Sequence, residues 1–287
     1  MDQAETLRRV AALKRGQGPG GKSSCEIISV SSGKGGVGKS NITVNLAVTL
    51  AKRGRKVLML DADMGTANID ILLGMDPRRN LSHVIEGQAT LLEILVKVTD
   101  NLYLIPGASG IMDAGYLPVQ QLDQLRTDLL KLEEMFDFMF IDTAAGVNNL
   151  VIRTLQGSDR ILMICTDEPT SIVDAYALAK VLFRECDAAR LQLVVNDVEG
   201  EEEAEDVYGK LKVAIQHFLK KELEYLSYIV HDDVVARGVV LQKPFMLTPA
   251  ECPARANFEA LATLLDHDDP WTEGKGFLQL FQLLVQK

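Results

Sequence analysis

The chain has 287 residues, of which 24% are charged and 47% hydrophobic; these are ordinary values for a globular protein, and the length admits one large α/β domain or two small ones. A formal net charge of −10 argues against a general nucleic-acid binder, which would present a basic surface. The four cysteines, Cys25, Cys165, Cys186 and Cys252, form no CxxC pair, which leaves a disulfide framework, a structural zinc site or a cluster site unsupported.

In chain order, Met1 to Leu13 is amphipathic. Ala4, Leu7, Val10 and Ala11 recur at helical spacing, with Arg8 and Arg9 on the other side. The run Gly16-Gln17-Gly18-Pro19-Gly20-Gly21 breaks any helix and reads as a flexible linker. Residues 1–24 are therefore expected to be a tethered element outside the main core, a frayed terminus being the plainer alternative.

A strand is expected over Glu26 to Ser31. It leads into Ser32-Gly33-Lys34-Gly35-Gly36-Val37-Gly38-Lys39-Ser40 and then into a helical run from Asn41 to Lys52. Strand, glycine-rich loop and helix form the context in which a GxxxxGK[ST] match means a phosphate cradle. The glycines let backbone N–H groups face phosphate oxygens, and the helix adds the positive end of its dipole. In this cradle Lys39 reaches the β- and γ-phosphates and the Ser40 hydroxyl ligates Mg²⁺. Lys34, a second lysine inside the loop, is not needed by an ordinary phosphate loop. The candidate nucleotide-binding set is Gly33, Lys34, Gly35, Gly36, Val37, Gly38, Lys39, Ser40 and Asn41.

The next strand, Lys56 to Leu60, ends in Asp61-Ala62-Asp63. Acids at the carboxyl end of a strand lie in the ligand crevice of a doubly wound sheet. Since side chains alternate along a strand, one acid can hold Mg²⁺ through water while the other orients the attacking water. A loop entering a short helix follows over Met64 to Gly74, then a strand over Asn101 to Ile105 and a helix over Pro118 to Met135. That helix has Leu122, Leu125, Leu129, Leu130 and Leu132 on its apolar side. The strand Phe138 to Ile141 delivers Asp142, a further carboxylate suited to the water shell of Mg²⁺. The small residues Thr143-Ala144-Ala145-Gly146 behind it suit a loop that moves when the γ-phosphate leaves.

Ile161 to Cys165 and Leu191 to Val195 are apolar almost throughout, as strands of a parallel sheet covered on both faces should be. The second ends at Asn196, whose amide carries a donor and an acceptor for a purine edge. The acidic run Glu199 to Glu205 reads as a solvated helix start, Tyr225 to Val230 as the last strand, and Glu251 to Leu265 as the final core helix. After Asp266 to Pro270, residues Gly276 to Lys287 read as a helix. Gln279, Gln282 and Gln286 would lie on one side, and Phe277, Leu278, Leu280, Phe281, Leu284 and Val285 would form an apolar face. Such a face must bury against its own domain, a partner or a bilayer surface. Neither a leader-like segment nor an 18-residue apolar span is present, so a cytoplasmic chain with at most peripheral membrane contact is expected.

The run Lys34-Gly35-Gly36-Val37-Gly38-Lys39-Ser40 resembles the deviant Walker A motif of the MinD/ParA family of ATPases, and the resemblance covers roughly residues 25–265. Within that family the chain is similar to the FlhG branch, also called FleN or YlxH, which controls bacterial flagellar number and placement. Three stretches carry this likeness: Asp63 to Asp70, Asp167 to Ala177, and Asp2-Gln3-Ala4-Glu5-Thr6-Leu7-Arg8, which is similar to the family's DQAxxLR element.

The resemblance implies a doubly wound, mostly parallel α/β sheet with helices on both faces. It divides the chain into an element over 1–24, an ATPase domain over 25–268 and an amphipathic helix over 269–287. It also implies ATP and Mg²⁺ as ligands and an ATP-sandwiched homodimer in which Lys34 crosses to the other subunit's phosphates. Lys34, Lys39 and Asp63 are then the catalytic candidates, with Asp63 positioning water. Ser40, Asp61 and Asp142 surround Mg²⁺, and Asn196 reads adenine. Gln3 is the glutamine presented to the partner, an FlhF-type SRP GTPase, where an amide can orient the attacking water. The terminal helix is similar to the family's membrane-targeting segment, so an anionic membrane surface is an expected partner, at the inner face of the cytoplasmic membrane. A flagellar transcriptional regulator or a switch-complex protein is a further candidate partner, and no direct nucleic-acid contact is expected. The chain departs from the family in having no proline over Ser227 to Asp233 and few basic residues in the terminal helix. The alternative within the same family is a ParA/MinD-type positioning ATPase for another cargo, the nucleoid or the division site.

Overall fold

In a computed structural model of the chain, the described residues are 25–63, 68–107, 119–185, 190–249, 251–267 and 274–285, with 119, 120, 122, 267 and 285 described in backbone only. The expectations for residues 1–24, Gln3 among them, and for the segments 64–67 and 268–273 lie outside them.

Eight strands form one sheet in the order β3-β4-β2-β5-β1-β6-β7-β8. They are β1 (Glu26–Ser31), β2 (Val57–Ala62), β3 (Val96–Lys97), β4 (Leu102–Ile105), β5 (Phe138–Thr143), β6 (Arg160–Cys165), β7 (Arg190–Val198) and β8 (Glu224–Val230). All pair in parallel except β3, which runs antiparallel to β4. The expected α/β architecture is therefore present. The strand order reverses at β1, which lies between β5 and β6, so the crevice of the sheet opens at the carboxyl end of β1.

The helices are α1 (Lys39–Lys52), α2 (Ile69–Leu72), α3 (Leu81–Ile85), α4 (Val119–Met135), α5 (Asn149–Gln156), α6 (Pro169–Glu185), α7 (Glu201–Leu219), α8 (Asp233–Val240), α9 (Pro253–His267) and α10 (Gly276–Val285). Alternation along each strand divides the core between two faces. Ile28, Val30, Met59 and Phe140 pack with Ile42, Leu46 and Leu50 of α1 and Phe258 and Leu261 of α9. Ile27, Leu58, Leu60, Met139 and Ile141 point the other way, towards Leu125 and Leu129 of α4 and Phe277 and Leu280 of α10. Farther along that face, Ile161, Met163 and Leu193 meet apolar residues of α5, α6 and α7.

Three details differ from the sequence reading. Strands β2 and β5 continue through Ala62 and Thr143, so Asp61 and Asp142 lie inside the sheet and face each other in register. Leu130 of α4 is 43% exposed, because that helix meets the sheet along the narrower stripe of Leu125, Leu129 and Leu132. The third difference concerns α10. It packs in a trough between α4 and α5, touching β1, and there Gln282 is buried along with Phe277, Leu278, Leu280 and Leu284. A helix walled on two sides buries more than the single stripe that its periodicity defines, which is why Gln282 does not share the exposed side with Gln279.

Candidate nucleotide site

The loop after β1 is held open by glycine geometry. Gly36 and Gly38 have φ of 82° and 92°, a region that costs other residues roughly 1–2 kcal/mol. A Cβ on Gly38 would lie 2.6 Å from Nδ2 of Asn196, and that amide nitrogen donates to the Val37 carbonyl at 2.9 Å. Asn196, at the far end of β7, is thereby latched to the loop through one amide N–H, which leaves its other N–H and its carbonyl oxygen to present to a base. Gly33 is equally constrained, since its Cβ would fall 2.1 Å from the Asp174 carbonyl oxygen of α6.

Lys39, at the start of α1, is buried. Lys34 stands apart from it: its ammonium pairs with Glu168 and donates to Thr170 Oγ1 at 3.0 Å, both at the start of α6. The Lys34 ammonium holds the Glu168 carboxyl below its usual range. Glu168 and Thr170 lie in the stretch Asp167 to Ala177 that carries the family likeness, but nothing in the sequence pattern signals their contact with Lys34, which joins residues more than 130 positions apart.

Asp61 accepts hydrogen bonds from the N–H groups of Asp63 (3.1 Å), Asn68 (2.9 Å) and Ile69 (3.1 Å). Its carboxylate therefore ties the end of β2 to the start of α2, a second occupation beside the metal role expected of it. Burial raises its pKa, and those three N–H groups oppose the rise. Asp63 lies just past the strand, where the Asn68 amide approaches its carboxylate at 3.5 Å.

Asp142 is fully buried, and neither of its oxygens has a partner at hydrogen-bonding geometry. Burial pushes its pKa up to about 7. Ser40 and Lys39 pull it down, and Asp61 and Asp63 add to the rise. An orphaned buried carboxylate beside a serine hydroxyl fits Mg²⁺ held through its water shell. Among the described residues no cluster of three His, Cys, Asp or Glu side chains could hold a metal alone. The following loop is tied back to the cradle. Thr143 Oγ1 donates to Val30 O at 3.0 Å, and the Gly146 N–H donates to Ser32 O at 2.9 Å.

A cleft of about 280 Å³ adjoins the loop, lined by Val37, Asn41, Asn196, Asp197, Val230, His231, Asp232 and Val235 among others. It can take a nucleoside beside the phosphate cradle. The stretch lacking the family's proline forms one wall, where His231 Nδ1 lies 2.7 Å from Asp197 Oδ1. Asp197 adopts φ of 63° at a register irregularity between β7 and β8. Periodicity gives no sign of either feature.

The structure groups Gly33–Asn41, Asp61, Asp63, Asp142 and Asn196 near the carboxyl ends of β1, β2, β5 and β7, with Glu168, Thr170, Asp197 and His231 beside them. Comparison with known proteins gives a consistent picture. A family model described as "AAA domain" matches residues 25–187. The chain is 36% identical over 262 residues to the antiactivator FleN of Pseudomonas aeruginosa, covering 91% of this chain and 94% of that one. It is 37% identical to the flagellum site-determining protein YlxH of Helicobacter pylori, over 76% and 74% of the two chains. Among solved structures, the septum site-determining protein MinD of Pyrococcus horikoshii, complexed with Mg-ADP, superposes with a TM-score of 0.67 at 27% identity, over 85% of this chain and 96% of that one.

Proposed function

Because the chain belongs with FleN and YlxH in the MinD/ParA family of deviant Walker A ATPases, we propose that it is an ATP-driven dimerisation switch that sets flagellar number or placement. It is an ATPase that uses ATP and Mg²⁺. Lys39 and the loop N–H groups hold the phosphates, Ser40, Asp61 and Asp142 surround the Mg²⁺ hydration shell, Asp63 orients the attacking water, and Asn196 accepts from the adenine amino group. The bound metal neutralises charge developing on the transferred phosphate.

The observation that carries the reading is the placement of Lys34. The site already has its phosphate lysine in Lys39, whereas the Lys34 ammonium is held at the surface by Glu168 and Thr170. A cation so placed is available to a second copy of the chain across an ATP-sandwiched interface. Affinity between subunits then depends on the triphosphate, which is what a switch requires. Hydrolysis removes the group that Lys34 binds and resets the dimer.

Two outputs follow in this reading. Gln3, within the element 1–24, completes the site of an FlhF-type SRP GTPase, and α10 leaves its trough in the ATP state to bind an anionic membrane surface at the inner face of the cytoplasmic membrane. No described helix is long and apolar enough to cross a membrane, in keeping with peripheral contact. A flagellar transcriptional regulator is a further partner in this reading, supported by the relative named an antiactivator.

Deletion of residues 1–15 is expected to leave ATP hydrolysis intact while abolishing stimulation of the partner GTPase, measured as phosphate release from GTP. Unchanged stimulation would remove Gln3 from the mechanism.

A further inference from the structure

Helix α10 is fastened firmly at its first residues and poorly fitted beyond them. The Lys275 N–H donates to Asp159 Oδ1 at 2.7 Å, and the Phe277 N–H donates to Glu133 Oε2 at 2.9 Å. Between them Gly276 has φ of 77°, and a Cβ there would lie 3.1 Å from the Glu133 carboxylate. The Lys275 ammonium donates to the carbonyls of Gln156 (2.7 Å) and Ser158 (2.8 Å), where α5 ends. The other oxygen of Asp159 accepts from the Ile27 N–H of β1 at 2.9 Å, so one carboxylate joins the first strand to the last helix. These bonds involve charged groups, the stronger class.

Farther along, the fit deteriorates. Gln282 is 5% exposed, and its Nε2 is buried without a partner. A partly open apolar pocket of about 60 Å³ is lined by Phe277, Leu280, Phe281 and Leu284. The unsatisfied buried amide opposes docking, and the unfilled pocket forgoes packing contact. The trough is otherwise closely shaped: a Cβ on Gly157 would lie 2.5 Å from Cδ1 of Leu280.

We propose that Glu133, Asp159 and Lys275 form a clasp that holds α10 on the sheet against a weakness built in at Gln282, so that opening the clasp frees the helix. The proposal rests on the reading that α10 leaves the sheet in the ATP state, and it supplies the device. A route from the nucleotide exists in the contacts. The loop Thr143–Gly146, tied to Ser32, leads into α5 through the cap in which Asn148 Oδ1 accepts from the Val151 N–H at 2.9 Å. The far end of α5 provides one carbonyl that Lys275 holds, and Ser158 just beyond it provides the other.

Cys25 is the reporter, since it is buried in the same apolar cluster as Phe277, Leu280 and Leu284. The full-length chain is treated with iodoacetamide without membranes, Cys25 labelling is followed by peptide mapping, and amide exchange over 277–284 is read in parallel. Lys275→Ala and Glu133→Ala should each raise Cys25 labelling and exchange at least tenfold without nucleotide, at an unchanged cooperative melt. Gln282→Leu should lower both below wild type. Wild-type rates in folded clasp variants would overturn the clasp, and should those variants fail to fold, faster exchange in Gln282→Leu would overturn the built-in weakness. Sedimentation with anionic liposomes separates this from the functional reading. Variants that expose Cys25 but do not sediment uphold the clasp and remove the membrane role. Sedimentation without exposure of Cys25 removes the clasp.

Discussion

Asp63→Ala is expected to bind ATP and remain dimeric while its hydrolysis falls by about 10²–10⁴-fold, the range lost with a positioned proton-transfer group. The two neighbouring acids of the β2 end differ in what holds them. Asp61 is taken up by the N–H groups of Asp63, Asn68 and Ile69, so its removal would loosen the end of β2 from the start of α2. Asp63 sits one step beyond the strand, and its contact with the Asn68 amide is long at 3.5 Å. In the proposed mechanism, loss of its carboxylate removes an interaction with the attacking water and leaves the cradle Gly33–Ser40 in place. Single-turnover phosphate release gives the rate, and gel filtration with ADP and with ATP gives the assembly. Wild-type hydrolysis together with a monomer in ATP would contradict the assignment.

Asp142→Asn is expected to act in two directions. In the chain free of nucleotide and metal, burial has raised the Asp142 pKa from 3.8 to about 7. Between those values the folded chain holds a proton that the unfolded chain releases. This group's contribution to stability is therefore greatest below pH 4, falls as pH rises from 4 to 7, and stays low above 7. Over roughly three pH units the loss is on the order of 4 kcal/mol. Asparagine does not titrate, so the variant should be the more stable at pH 8 and should lack this part of the pH slope; urea midpoints at pH 5, 6, 7 and 8 read both effects. With Mg-ATP the order should reverse, because the ion that balances the buried carboxylate has lost its anionic partner. Equal pH slopes for the two chains would contradict this account of Asp142.

The strands and the cradle were legible because their signals are local. A short apolar run such as Ile161 to Cys165 suits a strand covered on both faces, and the spacing of Gly33, Gly38 and Lys39 can be read without any long-range contact. What escaped depends on distant partners or short elements. Strand β3, Val96–Lys97, is too short to show a period. Helix α8 spans only the eight residues Asp233–Val240, with Val234 and Val235 half-buried on the core, too short a run for its period to stand out. The pairing of Glu168 with Lys34 became visible only when the fold set them together. Gln282 misled for the opposite reason: its spacing matches Gln279, but the trough between α4 and α5 encloses it.

The central claim is that Lys34 completes the site of another subunit, and mixing two inactive chains tests it directly. Lys34→Ala and Asp63→Ala proteins are combined before ATP is added, and phosphate release is followed. Each chain alone should be nearly inert. In a mixed dimer, one site joins Asp63 of the first chain to Lys34 of the second, so the mixture should recover a substantial fraction of wild-type turnover. A mixture as inert as its components, or a Lys34→Ala chain that hydrolyses ATP at the wild-type rate by itself, would contradict the claim.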